Sequence, residues 1–133
     1  MKYYLDTNII IYALNGKYPA VRTHFEQVPS MSIVLPSVVL AEIEYGARKS
    51  RDYETTIRLY RKFTSCFEAQ PFHREAACFY GRIRADLEAK GQIIGANDLL
   101  IAATAMAENG ILVTHNTREF SRIPGLVLED WTR

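Results

Sequence analysis

Three acidic residues, far apart in the sequence, stand where apolar and polar segments meet: Asp6, Glu42 and Asp98. Burying one carboxylate without a partner costs several kcal/mol. Three carboxylates at one point also repel each other, so they require raised pKa values or a bound cation. If folding brings them together, their oxygen atoms suit Mg²⁺ or Mn²⁺ better than Zn²⁺, because no His or Cys is placed to join them.

Each acid also has an ordinary structural interpretation. Asp6 or Thr7 can cap a helix that begins near Asn8, and Asn97 or Asp98 can cap the apolar helix that begins at residue 99. Glu42 lies close to the apolar side of its predicted helix, yet it can be a solvated surface glutamate. The residue types alone leave both interpretations open for each position.

Hydrophobic periodicity predicts the elements that carry these acids. Strands are predicted over residues 3–5, 32–35, 111–114 and 126–128, with a further strand or extended connector at 67–71. Helices are predicted over residues 9–14, 19–27, 38–48, 53–64, 73–90 and 99–108, with one turn at 117–120. Alternating strands and helices predict an α/β fold in three layers, with helices on both faces of a central parallel sheet of four to five strands.

This topology offers a way to bring the acids together. The first strand and the strand at 111–114 can be neighbours, so Asp6 and Asn116 would meet at the carboxyl edge of the sheet, where α/β proteins bind ligands. Glu42 and Asp98 lie early in helices that follow apolar stretches. We therefore expect both helices to direct their acids toward the same edge.

Length and composition narrow the class of protein. The 133 residues are expected to form a single domain, 1–133, and 48% hydrophobic with 23% charged residues is ordinary for a globular protein. A formal net charge of +1 neither indicates nor excludes a nucleic-acid partner. No membrane helix and no signal peptide are expected, so we predict a cytoplasmic protein in which Cys66 and Cys78 are free thiols.

The densest basic region has two interpretations. It can be a solvated helical face or a surface that follows a phosphate backbone, and it comprises Arg48, Lys49, Arg51, Arg58, Arg61 and Lys62. Near the end of the chain, Trp131 is expected to cover a hydrophobic edge or to dock on a neighbouring chain.

Four segments, in this order and spacing, resemble PIN-domain ribonucleases, and in particular the VapC-type toxins of bacterial type II toxin–antitoxin pairs. They are Leu-Asp-Thr-Asn at 5–8, Leu-Ala-Glu-Ile-Glu-Tyr-Gly-Ala at 40–47, Gly-Ala-Asn-Asp-Leu-Leu-Ile-Ala-Ala at 95–103, and Thr-His-Asn-Thr-Arg-Glu-Phe at 114–120 with Ile-Pro-Gly-Leu at 123–126. Each segment is weak alone, but together they cover nearly the whole chain.

The resemblance implies a PIN-like fold and a specific set of site residues. Asp6, Glu42 and Asp98 would form the acidic cluster, with Asp6 and Asp98 as direct metal ligands and Glu42 as a further one. Many PIN domains carry a fourth acid where this chain has Asn116. Either Glu119, one helical turn further on, supplies that charge, or the site holds its metal less tightly.

The resemblance also implies an activity and partners. The chain would be a Mg²⁺-dependent endoribonuclease, with Mn²⁺ able to substitute, that hydrolyses phosphodiester bonds in structured RNA such as tRNA or rRNA. A VapB-type antitoxin would cover the active-site groove and carry the DNA-binding part of a hetero-oligomer, and the toxin itself would form a homodimer. Candidate RNA contacts are Thr7, Asn8, Arg48 and Arg118, with Lys49 and Arg58 nearby.

Three other functions remain open from the sequence. One is a housekeeping PIN nuclease in RNA processing. Another is a catalytically weak binding partner in an antitoxin–repressor complex, which the neutral Asn116 invites. A phosphatase with Asp6 as its nucleophile is a distant third, because it would usually want a second acid two residues on, where this chain has Asn8.

Overall fold

The computed structural model describes residues 1–133, which form five strands and seven α-helices. The strands are β1 (Tyr3–Leu5), β2 (Ile33–Pro36), β3 (Glu68–Gln70), β4 (Ile111–Val113) and β5 (Val127–Glu129). The helices are α1 (Thr7–Asn15), α2 (Pro19–Gln27), α3 (Ser37–Arg48), α4 (Tyr53–Thr64), α5 (Arg74–Ala89), α6 (Ala96–Ala107) and α7 (Thr117–Phe120), with a 3-10 turn at Ser30–Ser32.

The sheet is entirely parallel, and its strand order is β3-β2-β1-β4-β5. β1 therefore lies in the centre, and Leu5 is paired with Val113 of β4. The ladder extends one residue beyond β1, since the Asp6 backbone N–H donates to the Val113 carbonyl at 2.9 Å. The predicted pairing of these two strands is confirmed, and the residues that follow them lie at one edge.

The central strands are covered on both faces. Ile33, Val34 and Leu35 are consecutive in β2, and each is only 1% exposed. Because successive strand residues point to opposite faces, both faces must be covered by other elements. This confirms the predicted three-layer α/β/α arrangement, here with five strands.

Helix α6 is buried around much of its circumference. Ile101, Ala102 and Ala103 are all fully buried, and the helix packs against α5, α3, β2 and β4. Small side chains allow these close approaches, and the Thr104 hydroxyl is satisfied by the Leu100 carbonyl at 2.8 Å. The first turn of α6, which carries Asp98, is consequently fixed at the carboxyl edge of the sheet.

Some element boundaries differ from those predicted. Helix α6 begins at Ala96 rather than 99, because the extended residue Gly95 is the N-cap and its carbonyl accepts from the Leu99 N–H. The last strand is shifted by one residue to Val127–Glu129, where it pairs with β4. The segment predicted as a strand or connector contains the edge strand Glu68–Gln70, paired with β2.

The end of the chain closes one side of the core. Trp131 is fully buried, its ring stacks on His24 at 5.3 Å, and its indole N–H donates to Glu129 at 3.0 Å. Its predicted role in covering a hydrophobic edge is thus confirmed. Cys66 and Cys78 are free thiols, as predicted. None of the helices combines the length and hydrophobicity needed to cross a bilayer.

Candidate active site

Asp6 is buried at the end of β1, where it is also the N-cap of α1. One carboxylate oxygen accepts from the Thr7 backbone N–H at 2.9 Å, and the other accepts from the Thr114 hydroxyl at 2.8 Å. Burial raises the pKa of Asp6, the two hydrogen bonds lower it, and nearby Glu42 raises it again. The capping interpretation is therefore correct, but it does not account for a carboxylate that is only 6% exposed.

Glu42 projects from α3 toward Asp6 and is held on both sides. Its carboxylate accepts from the Thr7 hydroxyl at 2.6 Å and from the Asn97 side-chain amide at 3.4 Å. Glu42 is also partly buried, so burial and these two contacts favour a place in the site over a fully solvated surface position. Thr7 thus connects the loop after β1 to α3 through a side-chain contact.

Asp98 is the third residue of α6, and it makes no hydrogen bond, although it is partly buried. The capping interpretation fails here, because the N-cap is Gly95 and no side chain caps the helix. Burial raises the pKa of Asp98 to about 6, with further contributions from the charges of Asp6, Glu42 and Glu119. Three other carboxylates therefore lie close enough to Asp98 to affect its pKa.

Asn116 and Glu119 complete the cluster from the loop after β4. The Asn116 side-chain amide donates to the Glu119 carboxylate at 3.2 Å, and the Asn116 backbone N–H donates to the Thr114 hydroxyl at 3.0 Å. The neutral Asn116 accordingly positions an acid rather than supplying one. Glu119 lies close enough to Asp98 for its negative charge to help raise the pKa of Asp98.

The basic candidates differ in how far they are already engaged. Arg48 lies 3.6 Å from the Glu44 carboxylate, and its guanidinium lies over the Tyr53 ring at 3.8 Å. Arg118 is exposed and forms no ion pair, so its side chain remains free. Asn8 is exposed in the first turn of α1 without a side-chain hydrogen bond.

A groove begins at Glu42 and runs between α3 and α6. It encloses about 560 Å³, and it is lined by Thr7, Val38, Ala41, Glu42, Tyr45, Asn97 and Leu100. Tyr45 is 65% exposed, which is high for a large aromatic side chain. The acidic cluster is therefore reached along an open, partly apolar channel on the protein surface.

The donor set fits a hard divalent cation without forming a closed cage. No group of three or more Asp, Glu, His or Cys side chains is spaced to hold a metal by itself. Mg²⁺, however, usually keeps several waters and binds through only one or two carboxylates. Asp98, with no hydrogen-bond donor on its oxygens, has the free lone pairs that such an ion needs.

Sequence reasoning missed two residues that hold the acids in place. Thr114 is completely buried, and its hydroxyl contacts both Asp6 and the Asn116 backbone. Asn97 contacts Glu42 across two helices. A threonine at the end of an otherwise apolar strand was the available signal for Thr114, whereas nothing in the sequence pairs Asn97 with Glu42.

The chain is similar to known proteins over nearly its whole length. The family model described as PIN domain matches residues 3–126. Ribonuclease VapC2 of Rickettsia felis is 44% identical over 100% of both chains, and the tRNA(fMet)-specific endonuclease VapC of Shigella flexneri is 38% identical over 99% of both. The crystal structure of Rickettsia felis VapBC2 bound to a DNA fragment from its promoter contains a chain that matches with a TM-score of 0.92 and 44% identity, covering 98% of this chain and 99% of that one.

An acidic cluster at the carboxyl edge of a five-stranded parallel sheet, together with these matches, defines the class: the chain belongs to the PIN-domain family. Within that family it is similar to the VapC ribonucleases over its full length. The predicted resemblance is therefore confirmed.

Proposed function

We propose that this protein is the toxin of a type II toxin–antitoxin pair and acts as a Mg²⁺-dependent endoribonuclease, with Mn²⁺ able to replace Mg²⁺. The observation that carries the proposal is a set of acids linked by hydrogen bonds through Thr7, Thr114 and Asn116, close enough to Asp98 for their charges to raise its pKa. None of these acids has a Lys, Arg or His within ion-pair distance. Full-length similarity to VapC ribonucleases supports the reaction type.

In this proposal, Asp6 and Asp98 would contact the metal ion directly, and Glu42 would hold it through bound water. When bound, a divalent ion lowers the pKa of water and offsets the negative charge that develops on the reacting phosphate. The role of the chain is to fix the ligands: Thr114 orients Asp6, and Thr7 and Asn97 orient Glu42. Metal ligands held by such hydrogen bonds lose little mobility on binding, which favours tight coordination.

Asn116 and Glu119 would complete the catalytic group. Because Asn116 donates to the Glu119 carboxylate, the charge that many PIN domains place at the Asn116 position is supplied from α7. We therefore favour an active nuclease over a catalytically weak binding partner. The acidic side chain would then come from Glu119 instead of position 116.

RNA contacts are proposed for the residues that border the cluster. Arg118 has a free cationic side chain for a phosphate, and Asn8 is exposed beside Asp6. Thr7 would act mainly through Glu42, which its hydroxyl already contacts. Arg48 would have to exchange its contact with Glu44 for the RNA. Structured RNA is the proposed substrate, with tRNA favoured by the name of the Shigella flexneri relative.

The partners are proposed from the solved complexes of relatives. The Rickettsia felis structure is a VapBC complex bound to promoter DNA. We propose that a VapB-type antitoxin occupies the groove between α3 and α6, and that it supplies the DNA contacts of the complex. We further propose that the toxin forms a homodimer within this hetero-oligomer. The chain would act as one domain, and the protein would be cytoplasmic.

RNA-end sequencing after brief expression of wild-type protein and of Asp6→Asn tests the activity. New RNA ends should appear with the wild type alone, and purified protein freed of its partner should cleave the same sites with Mg²⁺ or Mn²⁺ but not with EDTA. Glu108→Gln, a change remote from the cluster, is the matched control and should cleave normally. Cleavage by Asp6→Asn at the same sites would refute the site.

Metal binding can be measured without any reaction. An ion that binds only the folded protein raises its melting temperature in proportion to the logarithm of ion concentration. Mg²⁺ or Mn²⁺ should therefore raise the melting temperature of the wild type, but not that of Asp98→Asn. An equal rise in both proteins would show that the ion binds elsewhere.

A further inference from the structure

Three aromatic rings form a compact cluster beside the acids. The ring centroids of Tyr12 and Tyr18 are 4.7 Å apart, those of Tyr18 and His115 are 5.2 Å apart, and those of Tyr12 and His115 are 6.2 Å apart. The ammonium group of Lys17 lies 5.6 Å from the Tyr12 centroid and 5.5 Å from the Tyr18 centroid. We refer to these four residues as the aromatic platform.

The platform is connected directly to the acidic cluster. His115 follows Thr114, whose hydroxyl contacts Asp6. Tyr12 lies on α1, which Asp6 caps, about 9 Å along the axis at 1.5 Å per residue. The Tyr12 and Tyr18 rings both contact the His115 ring, so the platform is fixed next to the residue that follows Thr114. A ligand at the cluster could therefore extend onto the platform.

The platform faces solvent, and its histidine has a fixed orientation. His115 and Lys17 are exposed, while Tyr12 and Tyr18 pack one side on the core and remain partly open. The Nδ1 atom of His115 lies 3.1 Å from the Asp130 carboxylate and 3.0 Å from the Thr132 hydroxyl. An exposed ring held in this way is preorganised for contact with a flat ligand.

We propose that the aromatic platform stacks an unpaired nucleobase of the RNA next to the scissile phosphate, while Lys17 contacts a neighbouring phosphate. This inference rests on the proposed ribonuclease function and deepens it. Stacking on aromatic rings tolerates any base, so the platform positions the strand rather than reading its sequence. Bases in a duplex are not available for such stacking, and the protein should therefore prefer loops over helical RNA.

The combination of flat rings with a single mobile cation favours RNA over a protein segment as the occupant. A phosphate group next to the stacked base would be drawn to Lys17, whose long flexible side chain can move from the ring faces to the strand. The platform also continues the path from the carboxylates, where the reacting phosphate must lie. Both features match a nucleotide, which joins a flat ring to an anionic linkage.

The test uses a stem–loop RNA with 2-aminopurine at single loop positions, bound in EDTA so that no cleavage occurs. Fluorescence quenching reports stacking, and anisotropy reports affinity. Tyr12→Leu and Tyr18→Leu should lose the quenching at one loop position and about tenfold in affinity, whereas Tyr12→Phe and Tyr18→Phe should retain both. A fully paired RNA should bind all four variants alike.

Phe79→Leu is the control for removing an aromatic ring elsewhere. Arg82 lies over the Phe79 ring at 4.5 Å on α5, so this pair has the same chemistry as the platform but lies outside it. Phe79→Leu should bind the stem–loop like the wild type. Lys17→Gln, an exposed change that does not threaten folding, should weaken binding and reduce the salt dependence by about one ion.

Each outcome bears on the proposal. Unchanged affinity and quenching in the leucine variants would overturn it, and so would an unchanged salt dependence in Lys17→Gln. Leucine variants that lose a co-expressed VapB-type antitoxin but keep RNA affinity would identify the platform as a protein-binding surface, which also overturns it. Failure of the wild type to cleave RNA with Mg²⁺ would refute the proposed function separately, since binding in EDTA is measured independently.

Discussion

Acidic side chains lie at both edges of the sheet, but those of the candidate active site have no basic partner. At the amino edge, Glu68 pairs with Lys2 at 3.1 Å, and the Glu108 carboxylate lies 2.6 Å from Nε2 of His73, a hydrogen bond that becomes an ion pair when His73 is protonated. At the carboxyl edge the acids of the candidate active site have no Lys, Arg or His within ion-pair distance, and these acids are Asp6, Glu42, Asp98 and Glu119. Asp130, which follows β5 at the same edge, does have such partners, with His115 at 3.1 Å and Arg133 at 3.7 Å.

This difference separates structural acids from functional ones. An acid that has its own cation contributes modestly to stability and needs nothing from solution. Burial raises the pKa of Asp98, the charges of the neighbouring acids raise it further, and an added cation relieves their repulsion. The partner of a carboxylate, rather than its position at a sheet edge, indicates whether it is available for chemistry.

The largest expected effect is on RNA cleavage. Asp6→Asn and Asp98→Asn should each reduce kcat/KM with Mg²⁺ by about a thousandfold, because each removes a charged ligand from the proposed metal site. Glu108→Gln at the amino edge should stay within about twofold of the wild type, since it removes only a partly exposed ion pair. Single-turnover cleavage of a defined RNA measures all three.

Equal losses in the three variants would show that the contrast between the edges carries no functional meaning. Full activity in Asp98→Asn, with Asp6→Asn inactive, would leave one acid assigned and remove the other. Binding of RNA in EDTA should be similar in all three, which separates catalysis from affinity.

A smaller effect is expected where a side chain acts through Asp6. Thr114→Val keeps the shape of the side chain but removes the hydroxyl that donates to Asp6 and accepts from Asn116. Loss of such an orienting contact typically costs about 10–100-fold in metal affinity or activity. Thr114→Ser should restore most of it, and melting curves in Mg²⁺ should follow the same order.

If Thr114→Val and Thr114→Ser were equally impaired, packing of the methyl group rather than the hydroxyl would matter. The predicted order of the two variants would then be wrong. The role of Thr114 in positioning Asp6 would be refuted with it.

Periodicity predicted the fold because its signals are local. Alternating apolar segments gave the strands and helices, and the rules of parallel sheets placed Asp6 and Asn116 at one edge. Glu42 and Asp98 could not be resolved in the same way, because their helices alone do not determine whether a carboxylate finds a cation or another carboxylate. Only the packing of α3 and α6 against β2 decided this.

The residues missed from the sequence act across long separations. Thr114 contacts Asp6 from 108 positions away, and Asn97 contacts Glu42 from 55 positions away. Hydrogen bonds of this kind produce no periodic pattern in the sequence, because each depends on two elements that meet only in the folded chain. The aromatic platform, which joins α1 to the loop after β4, escaped notice for the same reason.

Asp98→Asn should lower activity but raise the stability of the fold. Its raised pKa means that, between about pH 4 and 6, the folded protein binds more protons than the unfolded chain, so stability falls as pH rises through this window. Above about pH 6 the full cost of the buried charge is present. Asp98→Asn should therefore raise the free energy of unfolding by about 1 kcal/mol at pH 7, after allowance for solvent screening.

Urea denaturation at pH 4 and pH 7 measures this gain, which should be near zero at the lower pH. Saturating Mg²⁺ should reverse the order of the two proteins at pH 7, because the ion stabilises only the wild type. A variant that is less stable than the wild type at pH 7 without metal would contradict the repulsion inferred between the acids.

The smallest expected effect is at the amino edge, and it has the opposite sign. Glu108→Gln removes the carboxylate that pairs with His73 but leaves no buried charge behind, so it should lower the free energy of unfolding by about 0.5 kcal/mol. Added Mg²⁺ should not change this loss of stability, since Glu108 already has a hydrogen-bond partner and is not expected to bind the ion. If Glu108→Gln raised the free energy of unfolding, the contact between Glu108 and His73 would not be stabilising. The inferred difference between Glu108 and the acids of the candidate active site would then be refuted.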